Sequence, residues 1–169
     1  MDDERATFEV WVKASQHRLV RSAFLLTGDL QNAEDLVQDA LVKVAVRWSR
    51  LRTENVDAYV RRVMYHDHIS WWRKKRWPIA TSQLDTQAVS DHSDAIHNEQ
   101  VVAQALAKLT AKQRAVVVLR YFEDLSEQQT ADLLGVRVGT VKSQTSAALT
   151  RLRNLGPEFS LTPVDRGDP

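Results

Sequence analysis

The segment from Ser126 to Arg153, SEQQTADLLGVRVGTVKSQTSAALTRLR, constrains the fold more than any other. Ser126 is placed to accept from a backbone N–H of a first helical turn, and Gln129, three residues on, to return a bond to the N–H of Ser126. This S-x-x-Q spacing is a capping box. Thr130, Ala131, Leu133 and Leu134 give the helix a mostly apolar inner face, until Gly135 supplies the left-handed residue that ends it without a Cβ clash. A second helix starts near Val138, with Val141, Ala148, Leu149 and Leu152 on its inward stripe and Lys142, Ser143, Gln144, Thr145 and Arg151 largely on other faces. Two short helices pinched at a glycine, the second with a polar and partly cationic face, predict a helix-turn-helix that fits the major groove of DNA. A helical hairpin buried in an all-α core satisfies the same pattern.

The rest of the chain narrows the context. Five Gly, four Pro, long 3.6-residue periodicities and no alternating β-branched runs predict an all-α protein. At 169 residues it has room for one or two small cores. The absence of Cys excludes disulfides, zinc-thiolate sites and thiol nucleophiles, and suits a reducing cytoplasm. The start, MDDERATFEVWVKAS, is acidic and has no unbroken apolar stretch, so neither a signal peptide nor membrane insertion is expected.

The net charge of +1 hides a strong partition. Residues 1–77 carry 14 Lys and Arg against 11 Asp and Glu, and residues 102–153 carry 8 against 4, whereas residues 78–101 hold four acids and no Lys or Arg. Each basic block is a candidate footprint for phosphates. The acidic segment between them, PIATSQLDTQAVSDHSDAIHNEQ, has little periodicity and reads as a flexible linker, 78–98, between two domains of adjustable separation. The expected organisation is an N-terminal domain 1–77, the linker, a C-terminal domain 99–155 and a disordered tail 156–169.

The N-terminal block resolves into three helices. Phe8, Trp11, Val12, Leu19 and Leu26 mark the first, which Thr27-Gly28-Asp29 ends. Leu36, Val37, Ala40, Leu41, Val44 and Trp48 form the core stripe of the second. Its other side carries Asp35, Gln38, Asp39, Val42 and Val46 at spacings of three and four, an acidic and partly apolar ridge. Either this is a docking surface or a solvated face with two stray valines. The third helix spans about Val56 to Arg76; Tyr59, Val60, Val63 and Met64 can face the core, and Trp71-Trp72 precede four cations, Arg73, Lys74, Lys75 and Arg76. Rings beside a basic run suit single-stranded DNA, with bases on the rings and cations along the phosphates. Trp71 is expected inside and Trp72 partly outside.

DLVQDALVKVAVRW (35–48), AYVRRVMYHDHISWWRKKR (58–76), LTAKQRAVVVLRYFEDLSEQQTADLLGVRVGTVKS (109–143) and the closing ALTRLR together resemble the two helical domains of a bacterial sigma-70 family factor of the extracytoplasmic-function (ECF) group. The resemblance extends from Phe8 to Arg153. It implies that Asp35, Gln38, Asp39, Val42 and Val46 dock on the clamp helices of core RNA polymerase, whose flap is a further contact. It also implies that the loop with Arg52, Thr53 and Asn55 captures a flipped base of the minus-ten element, and that Arg62, His66, Trp72, Arg73, Lys74, Lys75 and Arg76 hold the opened strand. Promoter DNA at the minus-thirty-five element then falls to Arg137, Thr140, Lys142, Ser143, Gln144, Thr145, Arg151 and Arg153. No cofactor is implied. Whether an anti-sigma protein clasps the two domains is left open by the residues.

Two departures stand out. His66-Asp67-His68 occupies a stretch where many relatives carry Asn, and Gln144 and Ala147 replace arginines of the usual recognition helix, which predicts weaker phosphate anchoring. A metal site is not expected: His66 and His68 point to different sides of a helix, and His92 and His97 lack a carboxylate cage. No nucleophile elbow, P-loop or dinucleotide glycine pattern points to an enzyme. The rival function is a helix-turn-helix regulator that binds duplex DNA without stable polymerase binding; a dimer on a palindrome would mark it.

Overall fold

The computed structural model describes residues 2–75 and 94–159. Among these every regular element is helical: α1 (Asp2–Thr27), α2 (Leu30–Val46), α3 (Trp48–Leu51), α4 (Val56–Lys75), α5 (Asp94–Ala107), α6 (Ala111–Val117), α7 (Glu127–Leu134) and α8 (Val138–Leu155). A π-helical turn, Val118–Phe122, continues α6, and a 3₁₀ turn, Pro157–Phe159, follows α8.

Local chemistry sets the breaks. Gly28 adopts φ 73°, which a side chain would strain, and its N–H donates to Phe24 O at 2.7 Å to close α1. Asp29 then caps α2 by accepting from the Asn32 N–H at 2.8 Å, and Asn55 caps α4 by accepting from the Ala58 N–H at 2.9 Å. Thr110 and Gln113 form a reciprocal capping box at the start of α6, as Ser126 and Gln129 do at α7. The predicted helix-turn-helix is present: Gly135 is left-handed at φ 65°, ψ 36°, and α8 begins at Val138.

In the N-terminal domain α1, α2 and α4 bury Leu19, Ala23, Leu26, Val37, Ala40, Val44, Val60, Met64 and Tyr65. Phe8 and Trp11 pack on Trp48 at centroid distances of 5.2 and 5.6 Å, and the Trp48 indole N–H donates to Thr7 Oγ1 at 3.1 Å. In the C-terminal domain Val116, Ala131 and Val141 form a small cluster inside the helix-turn-helix. The two cores are not separate, however. One apolar cluster runs from Leu26, Met64 and Tyr65 through Leu106, Leu109, Val117, Val118 and Leu119 to Leu152, so the two domains are docked on each other. The reason lies in the run Ala115–Leu119, every residue of which is at most 2% exposed. One helix cannot bury such a run against the helix-turn-helix alone, and its remaining sides are covered by the N-terminal domain.

Three expectations are corrected. Residues 94–98 belong to α5 rather than to the linker. The tail is ordered as far as Phe159, because that ring packs against the core. Trp71 is the more exposed of the tryptophan pair, at 40%, while Trp72 turns inward beneath the C-terminal domain. The remainder of the linker, 78–93, and of the tail, 160–169, lie outside the described residues, as do Arg76 and Trp77.

Candidate nucleic-acid interface

Three surfaces carry the residues singled out by sequence. On α2 the stripe Ala33, Val37, Ala40 and Val44 is buried, which leaves Asp35, Gln38, Asp39, Val42 and Val46 on the outer side. All five are exposed, Val42 at 62% and Val46 at 81%. Asp35 accepts from the Gln31 amide at 3.2 Å, one helical turn back.

The second surface joins the loop after α3 to α4. Arg52, Thr53 and Asn55 are exposed, and Thr53 Oγ1 donates to Arg50 O at 2.8 Å. Arg52 is faced by two acids from the start of α1, Asp3 at 4.0 Å and Glu4 at 3.7 Å. Along α4, Arg62, His66, Arg73 and Lys74 are exposed, whereas the Lys75 side chain and Arg76 lie outside the described residues. His66 Nε2 is 3.2 Å from Leu133 O of α7. Asp67, whose charge would repel phosphate, is paired with Lys43 at 2.6 Å. His68 is a core residue, 1% exposed; burial, and then the charge of Arg114, lower its pKa to about 3, so it is held neutral.

The third surface is the outward side of α8. Arg137, Thr140, Lys142, Ser143, Arg151 and Arg153 are exposed, with Lys142 at 3.4 Å from Glu127 of α7 and Ser143 Oγ donating to Thr140 O at 3.0 Å. Thr145 is half-buried with its hydroxyl oxygen enclosed, and Gln144 turns toward a cleft it shares with Trp72 and Arg73. The exposed set on α8 is therefore narrower than the sequence pattern suggested.

Sequence reasoning missed the residues that join the domains. Arg114 is 2% exposed; its guanidinium donates to Leu106 O at 2.9 Å, to Leu26 O, and to Ala107 O and Leu109 O at 3.2 Å, and lies 5.3 Å from the centre of the Trp72 ring. Leu26 and Ala107 lie in the last turns of α1 and α5, so one buried cation satisfies carbonyls at two converging helix C-termini. Burial lowers its pKa to about 10, and it remains charged. Glu123 accepts from Ser22 Oγ at 2.5 Å and from Arg61 Nε at 2.6 Å, both in the N-terminal domain. Burial, and then the Glu123 carboxylate, raise the pKa of the enclosed Tyr65 hydroxyl. A signal existed for Arg114, a lone cation opening the apolar run Ala115–Leu119. None marked Glu123, whose place depends on the π turn.

Comparison with known proteins agrees with this geometry. Residues 11–78 match the family described as Sigma-70 region 2, and residues 99–152 match Sigma-70, region 4. The chain is 41% identical over 148 residues to the RNA polymerase sigma-E factor of Streptomyces avermitilis, covering 86% of this chain and 83% of that protein. It is 34% identical over 151 residues to the ECF RNA polymerase sigma factor SigL of Mycobacterium tuberculosis, covering 85% of each. Among solved structures it is similar to the sigma factor RpoE of Bartonella quintana, determined in complex with the anti-sigma factor NepR, with TM-score 0.66, 27% identity and coverage of 88% and 96%. Two helical domains matching regions 2 and 4 in that order, and relatives spanning nearly the whole chain, make this protein a member of the sigma-70 family of RNA polymerase sigma factors, in its extracytoplasmic-function group.

Proposed function

We infer that the chain directs core RNA polymerase to specific promoters and helps open the minus-ten region, contributing no catalytic step of its own. The observation that carries this reading is the ridge on α2, where two valines remain 62% and 81% exposed among acidic and amide side chains although the opposite stripe is buried. An apolar, acidic strip on a rigid helix fits a protein partner better than it fits solvent or DNA phosphate. The loop with Arg52, Thr53 and Asn55 and the exposed cations of α4 are suited to unpaired bases and their phosphates. The outer side of α8, with Arg137, Thr140, Lys142 and Ser143, is suited to duplex DNA, where Lys and Arg position the backbone and short polar side chains reach base edges.

In this mechanism electrostatic attraction brings the polymerase-bound chain to DNA, α8 sets register on paired bases, and the N-terminal domain traps melted ones. An anti-sigma partner is a reasonable regulator by analogy with the relative from Bartonella quintana. None of the described helices is long and apolar enough to cross a membrane. The test is a pull-down with purified core polymerase: Asp35→Lys with Asp39→Lys, both on the exposed side of α2, abolishes binding while the circular dichroism of the chain is unchanged. Undiminished capture by the double variant refutes the docking role of the ridge.

A further inference from the structure

The loop read above as a grip on the melted strand, the reading on which this inference rests, is braced by acids. Arg52 is half-exposed, and its two terminal nitrogens each face a carboxylate from the first turn of α1: Nη1 lies 4.0 Å from Asp3 Oδ2, and Nη2 lies 3.7 Å from Glu4 Oε1. Both separations exceed hydrogen-bond reach, so the contact is one of charge with charge, and a phosphate can take the guanidinium without breaking a hydrogen bond. Arg5, next to these acids along the chain, is engaged elsewhere, since its Nε donates to Glu9 at 3.1 Å. Arg50, two residues before Arg52, is likewise paired with Glu54 at 3.1 Å. The loop proposed to meet a polyanion is thus compensated by Asp3, Glu4 and Glu54.

The two acids of α1 are held in place by more than their own attraction, which at exposed sites is worth little. The indole N–H of Trp48, the first residue of α3, donates to Thr7 Oγ1 at 3.1 Å. The Thr7 hydroxyl in turn donates to the main-chain carbonyls of Asp3 and Glu4, at 2.9 and 3.0 Å. Phe8 and Trp11 pack on the same indole. The first turn of α1 is therefore stapled to α3, and Arg52 is the residue that closes α3. An arriving phosphate meets two fixed carboxylates as well as the guanidinium. We propose that Asp3 and Glu4 are an intramolecular stand-in for DNA phosphate at Arg52. They keep the loop's attraction for any strand low, so that capture there depends on the base the loop accepts and not on the backbone every strand shares.

The test is a double-mutant cycle on the full chain. Asp3→Asn with Glu4→Gln forms one side and Arg52→Gln the other, and the probe is a fluorescently labelled random single strand of about 20 nucleotides. At low salt the chain without the two acids binds about threefold tighter than the parent, the order expected of an exposed charge contact. Its log affinity falls with log salt more steeply by about 0.7, as one added phosphate contact on a single strand requires. In the Arg52→Gln background, removing the acids leaves affinity within about 1.5-fold, because the cation they occupy is gone. An equal gain with and without the guanidinium overturns the proposal, since it shows general repulsion of the strand. An affinity or salt slope that the loss of the acids does not change overturns it too, and in both cases a parent chain that binds the strand leaves the loop's assignment standing. If neither the parent nor the chain without acids binds a single strand even at low salt, the assignment of the loop to melted DNA fails, and the stand-in fails with it.

Discussion

Arg114→Met tests whether a cation with no acidic partner among the described residues holds the domains together. The guanidinium makes four hydrogen bonds to main-chain carbonyls, one of them across the domain boundary to Leu26 O. Methionine fills most of the stem and supplies no donor. Two terms oppose each other. Burying the guanidinium lowers its pKa from 12.5 to about 10, a penalty on the order of 3 kcal/mol that the substitution relieves. Against this, bonds from a charged donor contribute about 1.5–3 kcal/mol each, so four sum to at least about 6 kcal/mol. Leu106 O retains a bond from the Leu109 N–H at 3.0 Å, which trims the loss without reversing it. The bonds win, and the variant is expected to be less stable by about 3–5 kcal/mol, the range for removing one side of a buried charged arrangement. In urea denaturation followed by circular dichroism, with a slope of about 2 kcal/mol per molar, the midpoint falls by roughly 1.5–2.5 M. Arg114→Lys keeps the charge but replaces a planar fork with one ammonium, which cannot serve both helix ends, so its midpoint falls in between. A midpoint for Arg114→Met within about 0.5 M of the parent would refute the reasoning, showing that the carbonyls are satisfied without the guanidinium.

Two further outcomes follow from single residues. His68 titrates near 3 when folded but near 6.5 when unfolded, so below pH 6.5 the unfolded chain takes up a proton that the folded chain refuses. Stability contributed by the neutral ring is therefore complete above pH 6.5 and falls by about 1.4 kcal/mol per pH unit on acidification toward 3, a slope that His68→Leu removes and that urea midpoints at pH 7 and 5 would reveal; parallel slopes in the two proteins would contradict it. Lys142→Ala, at a position 64% exposed on α8, weakens duplex binding and makes the slope of log affinity against log salt shallower by about 0.9 if the lysine contacts phosphate, and an unchanged salt series would remove it from the interface.

What could be read from sequence was what depends on near neighbours along the chain. Ser126, Gln129 and Gly135 specify the helix-turn-helix through contacts within a few residues, and the α2 ridge follows from spacing alone. The segment VLRYFEDL was opaque for the opposite reason. Nothing in its composition distinguishes a continuing α-helix from the π turn that positions Glu123, because the choice is made by burial of Val118 and Leu119 and by the reach to Ser22 and Arg61. The same holds for Trp71 and Trp72, adjacent rings at the end of α4 whose exposure is decided by where Arg114 arrives from a distant helix.

Charge says little about docking. Two blocks with an excess of Lys and Arg would repel each other if only their net charges counted. But charges in water more than about 8 Å apart are largely screened at physiological salt, while pairs withdrawn from water are not. The interface takes the few groups that matter out of the average. Arg114 is spent on carbonyls, and Glu123, an acid of a basic domain, meets Arg61 in a nearly enclosed site. The cations proposed for DNA, Arg62, Arg73 and Lys74 on one domain and Arg137, Lys142, Arg151 and Arg153 on the other, stay at the surface. Net charge thus bears on the capacity for phosphate, whereas docking is decided by two buried side chains and an apolar run.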